Sequence, residues 1–209
     1  MLIREKLREQ KKLFIPVIHC LSRESIRHSV SVASESGADA IAFFNQGYFL
    51  NNEIIEEIIP ETRELFPDLT IGLKILDDYN IGSLNDNIEF ILTDFSGVSL
   101  DESCHSPIAP NQRNYLLFGG ITLKCQPEVK TDLWPLLAAK AKDFLDVVIT
   151  SEFGIGEMIN IEKVKIFKAA LKNYPLGVSS GVSILNIHDM LPYVDVFIVA
   201  NSIEKSFGV

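Results

Sequence analysis

Cysteine is scarce: the 209 residues hold three, Cys20, Cys104 and Cys125. An odd number with no CxxC spacing excludes a disulfide framework and a zinc ribbon, so each reads as a small core or loop residue. No apolar run reaches the roughly 18 residues needed to cross a bilayer. The opening MLIREKLREQKK has no apolar stretch of the kind a signal peptide carries. A cytoplasmic protein without membrane insertion is the expectation. Positive charge is short as well, since 19 Lys and Arg against 28 Asp and Glu leave a net charge of −9. That balance disfavours nucleic acid and anionic membranes as partners, because both present negative surfaces. A phosphate ester stays within reach where N–H groups or lysines are concentrated locally. No His, Asp, Glu or Cys grouping has metal-ligand spacing, Cys104-His105 standing alone, and no redox-cofactor site is evident. Neither metal nor cofactor is expected.

What is present is a regular alternation. Hydrophobic residues make up 47% and charged residues 22%, the balance of a globular chain, and the length suits one domain over 1–209. A charged helix over 2–12 precedes an apolar strand over 14–20. Ser22 caps a helix over 23–36 that stops at Gly37. Strand two is 41–45 (IAFFN). The helix over 52–66 carries apolar residues at helical spacing and is interrupted by Pro60. Strand three is 69–76 (LTIGLKIL), followed by a short helix around 81–88 and strand four within 89–95. Residues 96–113 are rich in Ser, Pro, Asn and Gly and predict no helix. Strand five (115–123), a helix (132–144), strand six (147–151) and a helix (161–173) follow. Strand seven (176–179), a helix (184–193) and strand eight (196–200) complete the order. Eight apolar runs separated by helices, with almost no hairpin signal, require a parallel sheet with right-handed crossovers. An open doubly wound sheet also fits the alternation. The count of eight favours a (β/α)₈ TIM barrel lacking a complete final helix, with the flank of strand eight covered by the N-terminal helix or by a partner subunit.

In such barrels the reactive groups sit at the C-terminal strand ends. Those ends supply His19, Asn45, Lys74, Asp77, Asp94, Lys124, Thr150 and Glu152. Lys74, flanked by Leu73 and Ile75, is expected to point into the barrel toward a carboxylate, for which Asp94 is a candidate. Lys124 suits an electrophilic stabiliser or anion anchor, and His19 an acid–base residue. Each also has a plain structural reading, as a solvated strand-end lysine, an internal ion pair or a hydrogen-bonded core histidine. The strongest local signal is GVSSGVSILN over 177–186. It ends a strand in small residues and opens a helix, so Ser179, Ser180 and Gly181 offer backbone N–H groups to a phosphate. Asn201 and Ser202 at the end of strand eight supply the facing half. Small residues there would equally permit a tight turn.

The stretch 146–208 resembles the closing third of the BtpA/SgcQ family, (β/α)₈ proteins related to the ribulose-phosphate-binding barrels. The matching segments are Val148-Ile-Thr-Ser151, Ser179-Ser-Gly-Val182 with Asn186, and Ile198-Val-Ala-Asn-Ser202 with Lys205. Looser matches are Val17-Ile-His19, Gly37-Ala-Asp-Ala40, Asn45, the segment 72–77 and Ile121-Thr-Leu-Lys124. Phosphoribosylanthranilate isomerases share a similar tail but begin differently. The departures are Ser179 and Ala200, each adding a Cβ where the family has glycine, and Glu204 where it has lysine.

Two functions follow from this reading. One is a metal-independent enzyme of isomerase, lyase or transferase type, acting on a phosphorylated sugar or nucleotide-like small molecule. In it Lys124 and Lys74 steady negative charge, His19 or Asp94 moves a proton, and Asn45, Asp77, Thr150 and Glu152 line the pocket. The other is a non-catalytic barrel serving assembly or regulation, with a homodimer as one form of it.

Overall fold

Eight short apolar segments pair in sequence order and close on themselves. The computed structural model describes residues 3–45, 53–76, 87–101, 113–123, 126–152, 157–200 and 203. The strands are β1 (Leu13–Cys20), β2 (Ala40–Asn45), β3 (Thr70–Ile75), β4 (Phe90–Thr93), β5 (Leu116–Gly120), β6 (Val147–Thr150), β7 (Leu176–Ser179) and β8 (Val196–Val199). All are parallel, and β8 returns to β1 through Leu13↔Val196 and Pro16↔Val199. The expected (β/α)₈ barrel is therefore the observed one. Of the region after β8, where a final helix would stand, Ile203 alone is among the described residues.

The described helices are α1 (Ile3–Arg8), α2 (Arg23–Glu35), α3 (Ile59–Leu65), α4 (Trp134–Ala141), α5 (Ile161–Leu171) and α6 (Ile187–Met190). Ser22 caps α2 through a reciprocal pair with Ser25. Within the helix expected over 52–66, Ile54–Ile58 form a π-helical turn and α-helix follows from Ile59, with Pro60 in its first turn. Proline lacks the N–H that would bond the carbonyl four residues back, and the wider turn absorbs that defect. Helix α6 is a single turn, far shorter than the expected 184–193, because Ile184 and Leu185 are 87% and 86% exposed and bury no face.

The flank of β8 is not covered by the N-terminal helix. Ile3 and Leu7 of α1 instead pack on the barrel interior, with Leu13, Ile15 and Phe118, so α1 closes the N-terminal end. Inside, Phe90 and Phe118 stack with ring centroids 4.8 Å apart. Gly72 on β3 makes room for them, since a Cβ there would lie 2.3 Å from the Phe90 ring. A second layer, including Ile41, Phe43, Ile71 and Leu117, faces the helices.

The N-terminal ends of the strands carry one device four times. The residue immediately before each even-numbered strand is acidic: Asp39, Glu89, Asp146 and Asp195. Each carboxylate accepts a backbone N–H of the preceding odd strand, from Phe14 (2.7 Å), Ile71 (2.9 Å), Leu117 (2.8 Å) and Leu176 (3.0 Å). Each acid's own N–H donates to the carbonyl of that same residue. A cation completes every clasp: Lys6 on Asp39, Arg63 on Glu89, Arg113 on Asp146, and Lys168 with Lys12 on Asp195. The barrel is thus four clasped strand pairs.

Candidate active site at the barrel mouth

Alternation along the strands decides which side chains enter the mouth. On β1, Leu13, Ile15 and Val17 belong to the interior cluster, and His19 continues that series. Phe44 does the same on β2, Lys74 on β3 after Gly72, and Asp94 follows Phe90 and Leu92. Register aligns the first three in one row, His19↔Phe44 and Phe44↔Lys74. Lys74 Nζ lies 2.9 Å from Asp94 Oδ1 and 5.6 Å from the Phe44 ring centroid. The His19 ring sits 5.7 Å from the same phenyl, tilted by 56°. His19 and Asp94 are both buried. A cation, a carboxylate and an imidazole thus meet around one aromatic wall, in surroundings that strengthen their fields relative to water.

The pair is held from behind. Gln126 Nε2 donates to the carbonyls of Asp94 (2.5 Å) and Gly120 (3.0 Å), while its Oε1 accepts the Leu123 N–H (3.0 Å). That side chain ties the ends of β4 and β5 together. Lys163 on α5 is 2% exposed, and its ammonium donates to Thr122 O and Ser151 O and lies 5.3 Å from the Trp134 ring centroid. Burial lowers its pKa, and the charge of Glu152 opposes that shift. Phe44, Gln126 and Lys163 were not singled out from sequence. Phe44 reads as one more strand hydrophobe, and Lys163 as an outer-face residue of an amphipathic helix.

The turn after β7 is tightly specified. Ser179 is buried, and Ser180 and Gly181 have φ of +74° and +69°. At Gly181 a Cβ would lie 2.0 Å from Glu157 O, so this glycine is required by the neighbouring loop as well as by φ. Asn186 locks the turn, donating to Gly181 O (2.6 Å) and accepting from Ser183 N (2.9 Å). Because α6 is only one turn long, its dipole adds little, and an anion here would depend on the turn's own N–H and hydroxyl groups.

The remaining candidates are distributed differently. Thr150 continues the helix-facing series of Val148; it is fully buried, with Oγ1 3.1 Å from Thr122 Oγ1. Its neighbour Ser151 takes the interior-facing register. Asn45 ends β2 in the helix-facing series of Ile41 and Phe43. Glu152 accepts the Asn160 N–H at 2.8 Å and so shapes the loop after β6. Asp77, Lys124, Asn201 and Ser202, together with Cys104, His105, Cys125, Glu204 and Lys205, lie outside the described residues. Cys20 is buried on the helix-facing side, and burial pushes its thiol pKa up to about 12, so it is inert at neutral pH. Among the described residues no three His, Cys, Asp or Glu side chains group as a metal site, and no helix is long and apolar enough to cross a membrane.

No protein-family model matches the sequence, and no curated protein matches it. Among solved structures, the chain is similar to phosphoribosyl anthranilate isomerase from Thermus thermophilus. That likeness has a TM-score of 0.64 at 16% identity, covering 95% of this chain and 91% of the other. Identity at that level carries the architecture alone: this chain is a (β/α)₈ barrel over nearly its whole length.

Proposed function

We propose that the protein is a metal-independent barrel enzyme acting on a phosphorylated sugar or nucleotide-like small molecule. The observation that carries this reading is the convergence of Lys74, Asp94 and His19 around Phe44 at the C-terminal mouth. A carbonyl-bearing substrate seated there loses a proton from the adjacent carbon to Asp94 or His19. Lys74 hydrogen-bonds the enolate oxygen, and the proton returns at the neighbouring atom, which is isomerase chemistry. Lys124 contributes further positive charge. The phosphate sits on Ser179, Ser180 and Gly181, faced by Asn201 and Ser202. Asp77 and Glu152 border the pocket, whereas Asn45 and Thr150, both in the helix-facing register, support its wall from behind. Kinship with the BtpA/SgcQ barrels belongs to the same reading and rests on 146–208.

A specific observation favours the second reading, a non-catalytic barrel. The space beside Gly181 is taken by Glu157 O, and Ser179 brings a Cβ to the turn. The two are separated by a thermal-shift titration with inorganic phosphate, ribose 5-phosphate and ribose. Under the enzymatic reading the phosphate ester, at about 100 times its Kd, adds roughly 2.7 kcal/mol. That raises Tm by about 5–10 °C for a chain of this size. Ribose alone does nothing, and Ser180→Asp abolishes the shift by placing a negative charge in the cradle; Asp tolerates the positive φ. A flat response with millimolar ligand moves the assignment to the non-catalytic barrel.

A further inference from the structure

The N-terminal end of the barrel holds a second feature that the proposed reaction does not use. A cleft of about 330 Å³ opens between α1 and the strand starts, lined by Arg4, Leu7, Arg8, Gln10, Leu116, Asp146, Asn173 and Pro175. Its volume falls at the lower end of the range of small-molecule sites, roughly 300–1,000 Å³. Charge is distributed unevenly to match. The first twelve residues carry five Lys or Arg against two Glu, whereas the whole chain has 19 against 28. Two of those five cations, Lys6 and Lys12, are spent on the clasps at Asp39 and Asp195, and Lys11 pairs with Glu9. Arg4 and Arg8 remain on the cleft. They stand four residues apart on α1 and so share a face.

Arg4 gives one hydrogen bond, 3.2 Å to Asn114 O, which leaves most of its five donors for a ligand. Arg8 has no hydrogen-bond or ion-pair partner among the described residues. The cleft's one acidic wall residue, Asp146, is already offset by Arg113 at 2.6 Å and by the Leu117 N–H. Among the described lining residues, the charge left without an ion pair is therefore positive, although the protein as a whole is acidic. Leu7, Leu116 and Pro175 add an apolar wall, and Gln10 and Asn173 add amides that both donate and accept.

We propose that this cleft binds a small organic anion, a carboxylate or phosphate monoester with a flat apolar body, at the end of the barrel opposite the mouth. Arg4 and Arg8 take the anion through their planar forks, and the apolar wall takes the body. A ligand here contacts α1, the plug of the barrel interior, and so stabilises the fold without entering the reacting site.

The test is calorimetric titration with phenyl phosphate at low ionic strength, beside inorganic phosphate and phenol. Ser180→Asp serves as the background, so that the mouth cannot account for binding. One phenyl phosphate per chain is expected, each fragment binding at least tenfold more weakly. Adding Arg8→Glu reduces the affinity at least tenfold, and Arg4→Ala reduces it further. Arg8 is exposed and unpaired among the described residues, so an unchanged Tm for Arg8→Glu certifies the fold. Absence of binding at millimolar phenyl phosphate, or equal affinity with and without Arg8→Glu, overturns the proposal whatever the mouth is found to bind.

Discussion

Replacing Asp146 by alanine tests the clasps most severely. The carboxylate serves the Leu117 N–H at 2.8 Å and Arg113 at 2.6 Å. The Arg113 side chain is 1% exposed, whereas Asp146 is 21% exposed. Alanine removes the ion pair from a guanidinium that is buried, a loss that costs about 3–5 kcal/mol, and the orphaned Leu117 N–H adds to it. The Arg113 bond to Phe144 O at 2.9 Å and the adjacent Tyr115 ring keep part of the guanidinium satisfied, so about 3–4 kcal/mol is expected. At about 2–4 °C per kcal/mol for a chain of this length, Tm falls by roughly 6–16 °C. Asp39→Ala is the matched control, because its partner Lys6 is 22% exposed and can swing its ammonium into water. It should lose about 1–2 kcal/mol. Calorimetry and urea titration of the two variants measure the difference. A further arm, Asp146→Ala with Arg113→Met, removes the buried guanidinium together with its acid and should recover at least half of the loss. Equal losses for Asp146→Ala and Asp39→Ala, or no recovery in the double variant, would refute the argument from buried charge.

Other outcomes follow from separate parts of the molecule. Gly181→Ala, with φ at +69° and its Cβ forced against Glu157 O, should destabilise by about 2–4 kcal/mol in urea titration. Ser180→Gly should cost less than Gly181→Ala, since glycine suits the positive φ at 180. At the mouth, Lys74→Met strands Asp94 and should cost about 2–4 kcal/mol as well as any ligand-induced thermal shift, with Asp94→Leu restoring stability but not the shift. At alkaline pH the buried Cys20 thiol, pushed up to about 12 from an ordinary value near 9, favours the folded state fully below pH 9. That contribution is lost as pH rises from 9 toward 12, because the unfolded chain ionises first. Tyr174, also raised by burial to about 12, acts in the upper part of the same window. Urea titrations from pH 8 to 11 should show Cys20→Ala losing less stability with pH than the parent.

The architecture was legible because strands of a parallel barrel are buried on both faces and therefore read as unbroken apolar runs. IAFF in β2 is such a run, with Ile41 and Phe43 toward the helices and Ala42 and Phe44 toward the interior. The same property hid the site. A run without polar alternation gives no parity, so Thr150 read as a pocket residue when the interior register belongs to Ser151. The inward direction of Lys74 and its partner Asp94 could be reasoned out, since a lysine inside an apolar strand needs a buried acid. Gln126 and Lys163 could not, because each acts by bonding carbonyls at or just past the ends of strands, and nothing in a local pattern marks such a bond. Helix α6 was overestimated for a related reason. Ile184 and Leu185 have the spacing of a buried face, but Asn186 commits its side chain to the preceding turn and holds them in solvent.

The four acidic clasps bear on where the chain could be cut and rejoined. Each one joins residues only 18 to 29 positions apart, so it closes a short loop at small entropic cost. The seam between β8 and β1 is different, for Lys12 reaches Asp195 across 183 residues. A circular permutant opened between β2 and β3, or between β4 and β5, leaves every clasp inside one continuous stretch of backbone. One opened between β1 and β2 converts the Asp39 clasp into a contact between distant ends of the polypeptide. The ring thus has two kinds of joint, and its tolerance to new termini should alternate around the circumference, permissive between quarters and intolerant within them.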